Sequence, residues 1–341
     1  MFRAKLGAQP ALAAISPMHV QTAAPRKFTD CHVHLAALPD GHNGCYISPH
    51  MLKSPLFRFL IWKFQLDLKN AAQSNAKYIA ALLAELRRSQ HIGRAILLAM
   101  DGVYDQRGKL DEQKTEFLIA NDYVLKTAAA YPADFWAGVS VNPQRGDAIE
   151  ELHRCSEAGA RLVKLLPNAQ QFDPADRRYI PFYRALARLR LPLLSHVGYE
   201  FSLIGTDQSA GDPNKLRVSL DQGVTVIAAH GCSYGLVFYE KFYRTFLALA
   251  QSYTNFFSDI SALTLPNRFR MLLHLRRYTE LHERLLFGTD YPLPVFQFSS
   301  WGRVGLRAMK QIFYTDNRFD RQYHVCMGLG VRFASIEKIL V

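Results

Sequence analysis

Apolar and polar positions alternate along this chain in blocks that repeat a strand followed by a helix. Short runs that are apolar on nearly every position occur at Ala95–Met100, Phe135–Val141, Arg161–Leu166, Leu193–His196, Thr225–His230, Phe256–Ile260 and Leu285–Asp290. Strands covered on both faces read this way, because neither face meets water. Between them lie segments with apolar residues at helical spacing, at 74–90, 116–131, 148–158, 181–189, 214–222, 241–251 and 268–282. Phe28–His34 supplies one more strand ahead of the series. Eight strands separated by helices predict a closed parallel (β/α)8 TIM barrel of the α/β class, formed as a single domain.

Two segments stand outside the repeat. Residues 1–27 have Pro and Gln interrupting an Ala-rich stretch, which reads as a loose N-terminal arm rather than a targeting peptide. An insertion of about 36–73 follows the first strand. It opens as a Gly-, Pro- and Asn-rich loop and continues into an aromatic segment at 56–66, where Phe57, Leu60, Ile61 and Phe64 share helical spacing while Phe59, Trp62 and Leu66 spread apolar character around the other side. A helix that is apolar on several faces requires burial, so a lid or an interface between subunits is expected there.

Composition narrows the class. The chain has 341 residues, 49% hydrophobic and 21% charged, as expected for a folded soluble enzyme and not for a disordered chain. Its formal net charge of +12 comes from dispersed basic residues without a long run, so solvated helix faces explain it better than a nucleic-acid surface. The charge mildly favours an acidic substrate. Five cysteines at irregular spacing fit free thiols in a reducing compartment, hence a cytoplasmic location. No apolar run reaches the length of a membrane span.

The polar residues within the strands carry the chemistry. His32 and His34 lie two apart, so a regular strand points both to one face. His196, His230 and Asp290 end the fifth, sixth and eighth predicted strands, and Lys164 lies in the fourth. Each alone reads as a packed core residue. Together they sit where a barrel gathers its active-site groups, and burying so many charge-capable side chains without a purpose is costly. Asp101, Asn142, Asn168, Tyr199 and Glu200 follow other strands and are candidates for substrate contact, although Asn and Asp also favour turns for local reasons. Asp259, in the seventh strand, is placed to hydrogen-bond a ligand histidine.

The motifs Asp30-Cys31-His32-Val33-His34, Val163-Lys164-Leu165-Leu166-Pro167, Ser195-His196-Val197-Gly198, Ala228-Ala229-His230 and Phe287-Gly288-Thr289-Asp290-Tyr291-Pro292 resemble the amidohydrolase superfamily, in its amidohydrolase-related branch of hydrolases and decarboxylases. The resemblance implies that His32, His34, His196 and Asp290 hold a divalent metal, Zn2+ ahead of Mn2+ or Fe2+. It makes His230 a ligand to a second ion or a general acid/base, so one or two ions are open. Lys164 is either a carboxylated bridge between metals, a partner of Asp290, or a contact to an anionic substrate. Neutral imidazoles and a carboxylate suit such ions, which lower the pKa of a bound water to roughly 7. Asp290 would then accept that water's proton.

The expected function is a metal-dependent hydrolase acting on an amide, ester or lactone-like carbonyl of a small molecule, an acidic one being favoured by the charge of the chain. Lys164, Tyr199, Asn168 and Asp101 are the expected substrate contacts. The alternative within the fold is a non-oxidative decarboxylase of an aromatic or unsaturated acid. The alternative from another class is a non-catalytic barrel that only binds. The expected partners are a small-molecule substrate and a second copy of the chain in a homo-oligomer, a dimer first, with no nucleic acid.

Overall fold

The computed structural model describes residues 27–201, 203, 207–237 and 239–340. The predicted arm over 1–27 lies outside the described residues except for Lys27, whose ammonium donates to the Ser89 carbonyl at 2.7 Å.

Eight parallel strands form one sheet in chain order: β1 Phe28–His34, β2 Ile92–Leu98, β3 Phe135–Val139, β4 Ala160–Leu165, β5 Leu193–Ser195, β6 Val226–Ala228, β7 Phe256–Asp259 and β8 Leu285–Leu286. The sheet closes on itself. Cys31 N donates to the Phe287 carbonyl at 3.0 Å, Asp290 N to the His32 carbonyl at 2.9 Å, and His34 N to the Tyr291 carbonyl at 2.8 Å. The expected TIM barrel is therefore the fold. Among the described residues eleven α-helices accompany it: α1 Pro55–Phe64, α2 Ala71–Arg88, α3 Asn121–Ala130, α4 Ala148–Glu157, α5 Pro167–Gln170, α6 Ile180–Leu189, α7 Arg217–Asp221, α8 Tyr243–Ser252, α9 Phe269–Leu275, α10 Leu306–Tyr314 and α11 Arg318–Gly328.

Three helices depart from the periodicity. The helix expected from residue 116 begins only at Asn121, because Phe117–Leu118 pairs antiparallel with Tyr46–Ile47 of the insertion. The helix expected over 214–222 is a 3-10 turn at Pro213–Leu216 running into α7, and the one over 268–282 is α9 followed by a 3-10 segment at Thr279–Arg284. In the insertion, α1 starts at a proline and is capped by Ser54, whose hydroxyl accepts from Phe57 N at 3.1 Å.

The strands separate two apolar layers. The larger packs their outer faces against the helices, with Val163 and Leu165 of β4 among its members. The smaller fills the barrel interior with Cys31, Ile96, Leu98, Leu162, Leu194, Ile227 and Leu286. On β4 the alternation puts Leu162 inside, and Lys164 two residues on shares that face. Strand β1 breaks the alternation: its register with β2 shifts between Asp30 and Val33. This irregularity lets Cys31 pack in the interior while His32 and His34 both reach the cavity above it.

Gly138 shows how tightly the interior is filled. A Cβ there would stand 2.7 Å from Leu98 Cδ2 and 3.0 Å from both Ile96 Cγ2 and Leu162 Cδ1. Gly138→Ala is expected to cost about 1–3 kcal/mol of unfolding free energy through overpacking. Denaturant titration measures it, and an unchanged midpoint would refute the tight fit.

Candidate metal centre

The C-terminal ends of the strands deliver the polar residues to one floor. His32 and His34 arrive on β1, Lys164 on β4, His196 just after β5, His230 in the turn after β6 and Asp290 after β8. All six line a single cavity of about 160 Å3. His230 and Asp290 adopt left-handed backbone conformations, with φ of 60° and 64°. Non-glycine residues hold such conformations at a cost, and these cluster at functional sites.

Among the described residues two groupings bring ligand-type atoms within 4.8 Å of one another: His32, His34 and Asp290 at the floor, and His32, His230 and Asp259 beneath it. Asp290 Oδ1 is 3.0 Å from His34 Nε2 and 3.4 Å from His32 Nε2. The other nitrogen of His32 settles its tautomer. His32 Nδ1 is 2.7 Å from Asp259 Oδ2, and a buried carboxylate accepts the Nδ1 proton. His32 Nε2 then carries a lone pair and faces the lone pairs of Asp290 Oδ1. Two acceptors do not rest against each other unless a cation or a proton lies between them. Donors that each approach one ion at about 2.0–2.2 Å stand roughly 3 Å apart, as these do. The residues therefore fit a divalent metal.

Asp259 is the hub beneath this floor. Its carboxylate also accepts from His230 N at 2.8 Å, from Ser261 N at 3.0 Å and from the Ser261 hydroxyl. Because that hydroxyl donates to Asp259, it accepts from His230 Nδ1 at 2.9 Å. His230 Nε2 is then an acceptor and takes the Nδ1 proton of His196 at 3.3 Å. His196 Nε2 is left with a free lone pair. One carboxylate and one hydroxyl thus orient three imidazoles. Among the described residues, His32 Nε2, His196 Nε2 and Lys164 Nζ are buried with no hydrogen-bond partner. Asp259 Oδ1 takes three of these donors and Oδ2 takes His32 Nδ1, so the carboxylate positions the imidazoles from beneath.

Electrostatics agree with these assignments. Burial lowers His196 and His230 well below the ordinary histidine range, and the Arg268 guanidinium adds to it. Burial also lowers His32, with Lys164 adding to it. All three are neutral, as ligands must be. Burial works to raise the Asp290 carboxyl, but His32 and the bond to His34 outweigh it and keep the group ionised. Burial brings Lys164 down to about 8 against the pull of Asp259, Asp290 and Glu200.

Arg268 is 5% exposed, yet nothing in its sequence context marks it. Its guanidinium donates to the carbonyls of Tyr199 at 3.1 Å, Ser233 at 3.3 Å and Val197 at 3.4 Å, so it staples the loops that carry His196 and His230. Ser261 was likewise missed. Its signal was its place two residues after Asp259, at the mouth end of β7.

Three expected substrate contacts are absent from the cavity lining. Asp101 is turned to Arg145 at 3.6 Å, the Tyr104 hydroxyl at 2.9 Å and Asn142 N at 2.7 Å, and fixes the loops after β2 and β3. Asn168 gives its amide to Gln208 Oε1 at 3.0 Å. Tyr199 packs its ring edge-on against Tyr234, with centroids 5.1 Å apart. Its neighbour Glu200 lines the cavity instead, with Oε2 at 3.6 Å from His196 Nδ1. Above the floor the walls are apolar: Leu35, Met51, Phe57, Leu60, Met100 and Phe117 among them. Phe57 and Leu60 come from α1, so the insertion roofs the site, while Phe59 and Trp62 of the same helix stay exposed.

Solved structures share this architecture. An uncharacterized TIM-barrel protein from Bordetella bronchiseptica aligns with TM-score 0.55 and 18% identity over 89% of this chain and 100% of its own. A protein provisionally named a 2-pyrone-4,6-dicarboxylic acid hydrolase, from Pseudomonas putida, aligns with TM-score 0.50 and 13% identity over 90% of this chain and 99% of its own. At these identities the likeness speaks for the fold alone. No curated protein matches the chain in sequence. The family model described as amidohydrolase matches residues 29–311, from β1 into α10 and across every residue of the floor, and the chain belongs to this family of metal-dependent enzymes.

Proposed function

We propose that the protein is a hydrolase that uses a divalent metal to cleave an ester, amide or lactone bond in a small substrate with an apolar body. The observation that carries this reading is the pair of facing acceptors, His32 Nε2 and Asp290 Oδ1, at the floor of an apolar-walled cavity. His32, His34 and Asp290 would hold the ion, with His196 Nε2 as the further nitrogen. Zn2+ suits three imidazoles and one carboxylate best, with Mn2+ or Fe2+ as alternatives. When bound, such an ion polarises a carbonyl oxygen and lowers the pKa of water to about 7.

The chain's own residues supply the rest. Asp290, ionised and beside the reacting centre, takes a proton from the attacking water and returns it to the leaving group. His230, tied between Ser261 and His196, keeps His196 in the tautomer that presents Nε2. The Lys164 amine binds negative charge on the substrate. The apolar walls exclude water from the opposite side. Among the described residues no helix is long and apolar enough to cross a membrane. All five cysteines are free and buried, which supports a reducing, cytoplasmic setting. A dimer is the assembly we favour, with the exposed Phe59 and Trp62 as its starting point.

Lys164 favours one second reading. A buried ammonium with no hydrogen-bond partner, facing apolar walls, also suits the carboxylate of an aromatic acid, and hence decarboxylation. Turnover in 18O-labelled water separates the two. Hydrolysis places one labelled oxygen in the product for each bond cut. Decarboxylation releases carbon dioxide and leaves the organic product unlabelled. A protein that binds no Zn2+, Mn2+ or Fe2+ by elemental analysis, and shows no metal-dependent thermal shift, would be a non-catalytic barrel.

A further inference from the structure

Helix α1 walls the cavity above the floor through Phe57 and Leu60. A second cavity of about 60 Å3 adjoins it, and the two share Ala36, Phe57, Leu60 and Phe117 as walls. The branch is otherwise enclosed by Leu38, Ile61, Phe64, Leu66 and Tyr78. Its polar groups are already used. Asn75 Oδ1 accepts from Leu38 N at 2.7 Å, and Asn75 Nδ2 donates to the Leu38 carbonyl at 2.9 Å. The Tyr78 hydroxyl donates to the His34 carbonyl at 2.8 Å. The lining is almost all apolar side chain, so a water entering the branch gains little, and apolar voids tend to stay dry until an apolar group fills them. The wall atoms gain dispersion contacts only from such a group.

We propose that this branch receives a straight apolar chain of the substrate, so the substrates are carbonyl compounds bearing an acyl or alkyl chain. The chain lies under α1, and the reacting carbon sits at the floor beside His34 and Asp290. This rests on the reading of the floor as the reaction centre. The insertion therefore selects the substrate as well as roofing the site. The branch shares four walls with the cavity above the floor, and Tyr78 ties its wall to the strand that carries His34. A polar or branched substituent would leave unpaired groups or clash within walls this close.

Straight-chain carboxylates from acetate to decanoate, titrated calorimetrically into the zinc-loaded protein, test the proposal. The dissociation constant is expected to fall by roughly three- to fourfold per methylene until the branch is full, then level off. Ile61→Trp, which narrows the branch from a half-buried position, is expected to flatten that dependence. Phe64→Ala, which lengthens it, is expected to move the plateau to longer chains. A wild-type protein indifferent to chain length overturns the proposal, and so does an unchanged slope in Ile61→Trp together with an unchanged plateau in Phe64→Ala. Hydrolysis of p-nitrophenyl acetate and decanoate on the same samples keeps the two readings apart. Chain-dependent binding without turnover of either ester sinks the hydrolase and leaves the branch. Turnover of both at equal kcat/KM, with flat binding, does the reverse.

Discussion

Asp290→Asn is expected to lower kcat/KM by roughly three to four orders of magnitude while the protein still folds. The substitution keeps the shape of the side chain and removes its charge. Two functions go with the charge. The ionised carboxylate is one of the three groups drawn within 4.8 Å at the floor, so metal affinity falls with it. In the proposed function it is also the base beside the reacting centre, and an amide cannot accept a proton at neutral pH. The fold should tolerate the change. Asp290 N bonds to the His32 carbonyl at 2.9 Å, and that main-chain link does not depend on the side chain. The measurements are kcat/KM on the metal-saturated variant, metal content by elemental analysis, and Tm. Activity within tenfold of wild type at full metal occupancy would remove Asp290 from the chemistry.

Asp259→Asn should act without touching the substrate. The carboxylate is fully buried and accepts from His32 Nδ1, His230 N, Ser261 N and the Ser261 hydroxyl. An asparagine offers one acceptor oxygen and turns an NH2 toward these donors, so at least one buried donor loses its partner. The cost to unfolding free energy is expected to be about 1–3 kcal/mol. The larger effect is on orientation. Without the acceptor at 2.7 Å, His32 is no longer held with Nε2 free, and metal affinity is expected to weaken by roughly 10- to 100-fold. Competition with a chelator measures the affinity, and denaturant titration the stability. Ser261→Ala is the internal comparison. It breaks the bond to His230 Nδ1 and leaves the Asp259–His32 contact in place, so it should spare most of the metal affinity. Equal losses in the two variants would contradict the arrangement of hydrogen bonds drawn here.

The sequence carried much of this site. His32, His34, His196, His230, Asp290 and Lys164 are legible because strand ends are local features, and a parallel barrel sends all of its strand ends to one face. Asp259 was legible for the same reason. The misses share a cause. Asp101, Asn168 and Tyr199 also follow strands, but each is consumed by a neighbour distant in sequence: Arg145, Gln208 and Tyr234. Arg268 was invisible because its work is to bind three carbonyls from other loops. The alternation argument for His32 and His34 reached the right outcome over an irregular strand, since the register shift between Asp30 and Val33 also brings Cys31 inside.

By itself the sequence determined the eight strand–helix units, the floor residues and the presence of an apolar helix that needed a surface to cover. These follow from periodicity and residue type, which act over a few neighbouring positions. Only the tertiary structure decided which nitrogen of each histidine faces the cavity, which polar side chains are spent on the scaffold, and that α1 closes over a branched apolar space. Hydrogen-bond partners and cavity walls are chosen among residues up to 308 positions apart, as Thr29 and Glu337 are, and no local pattern encodes that choice.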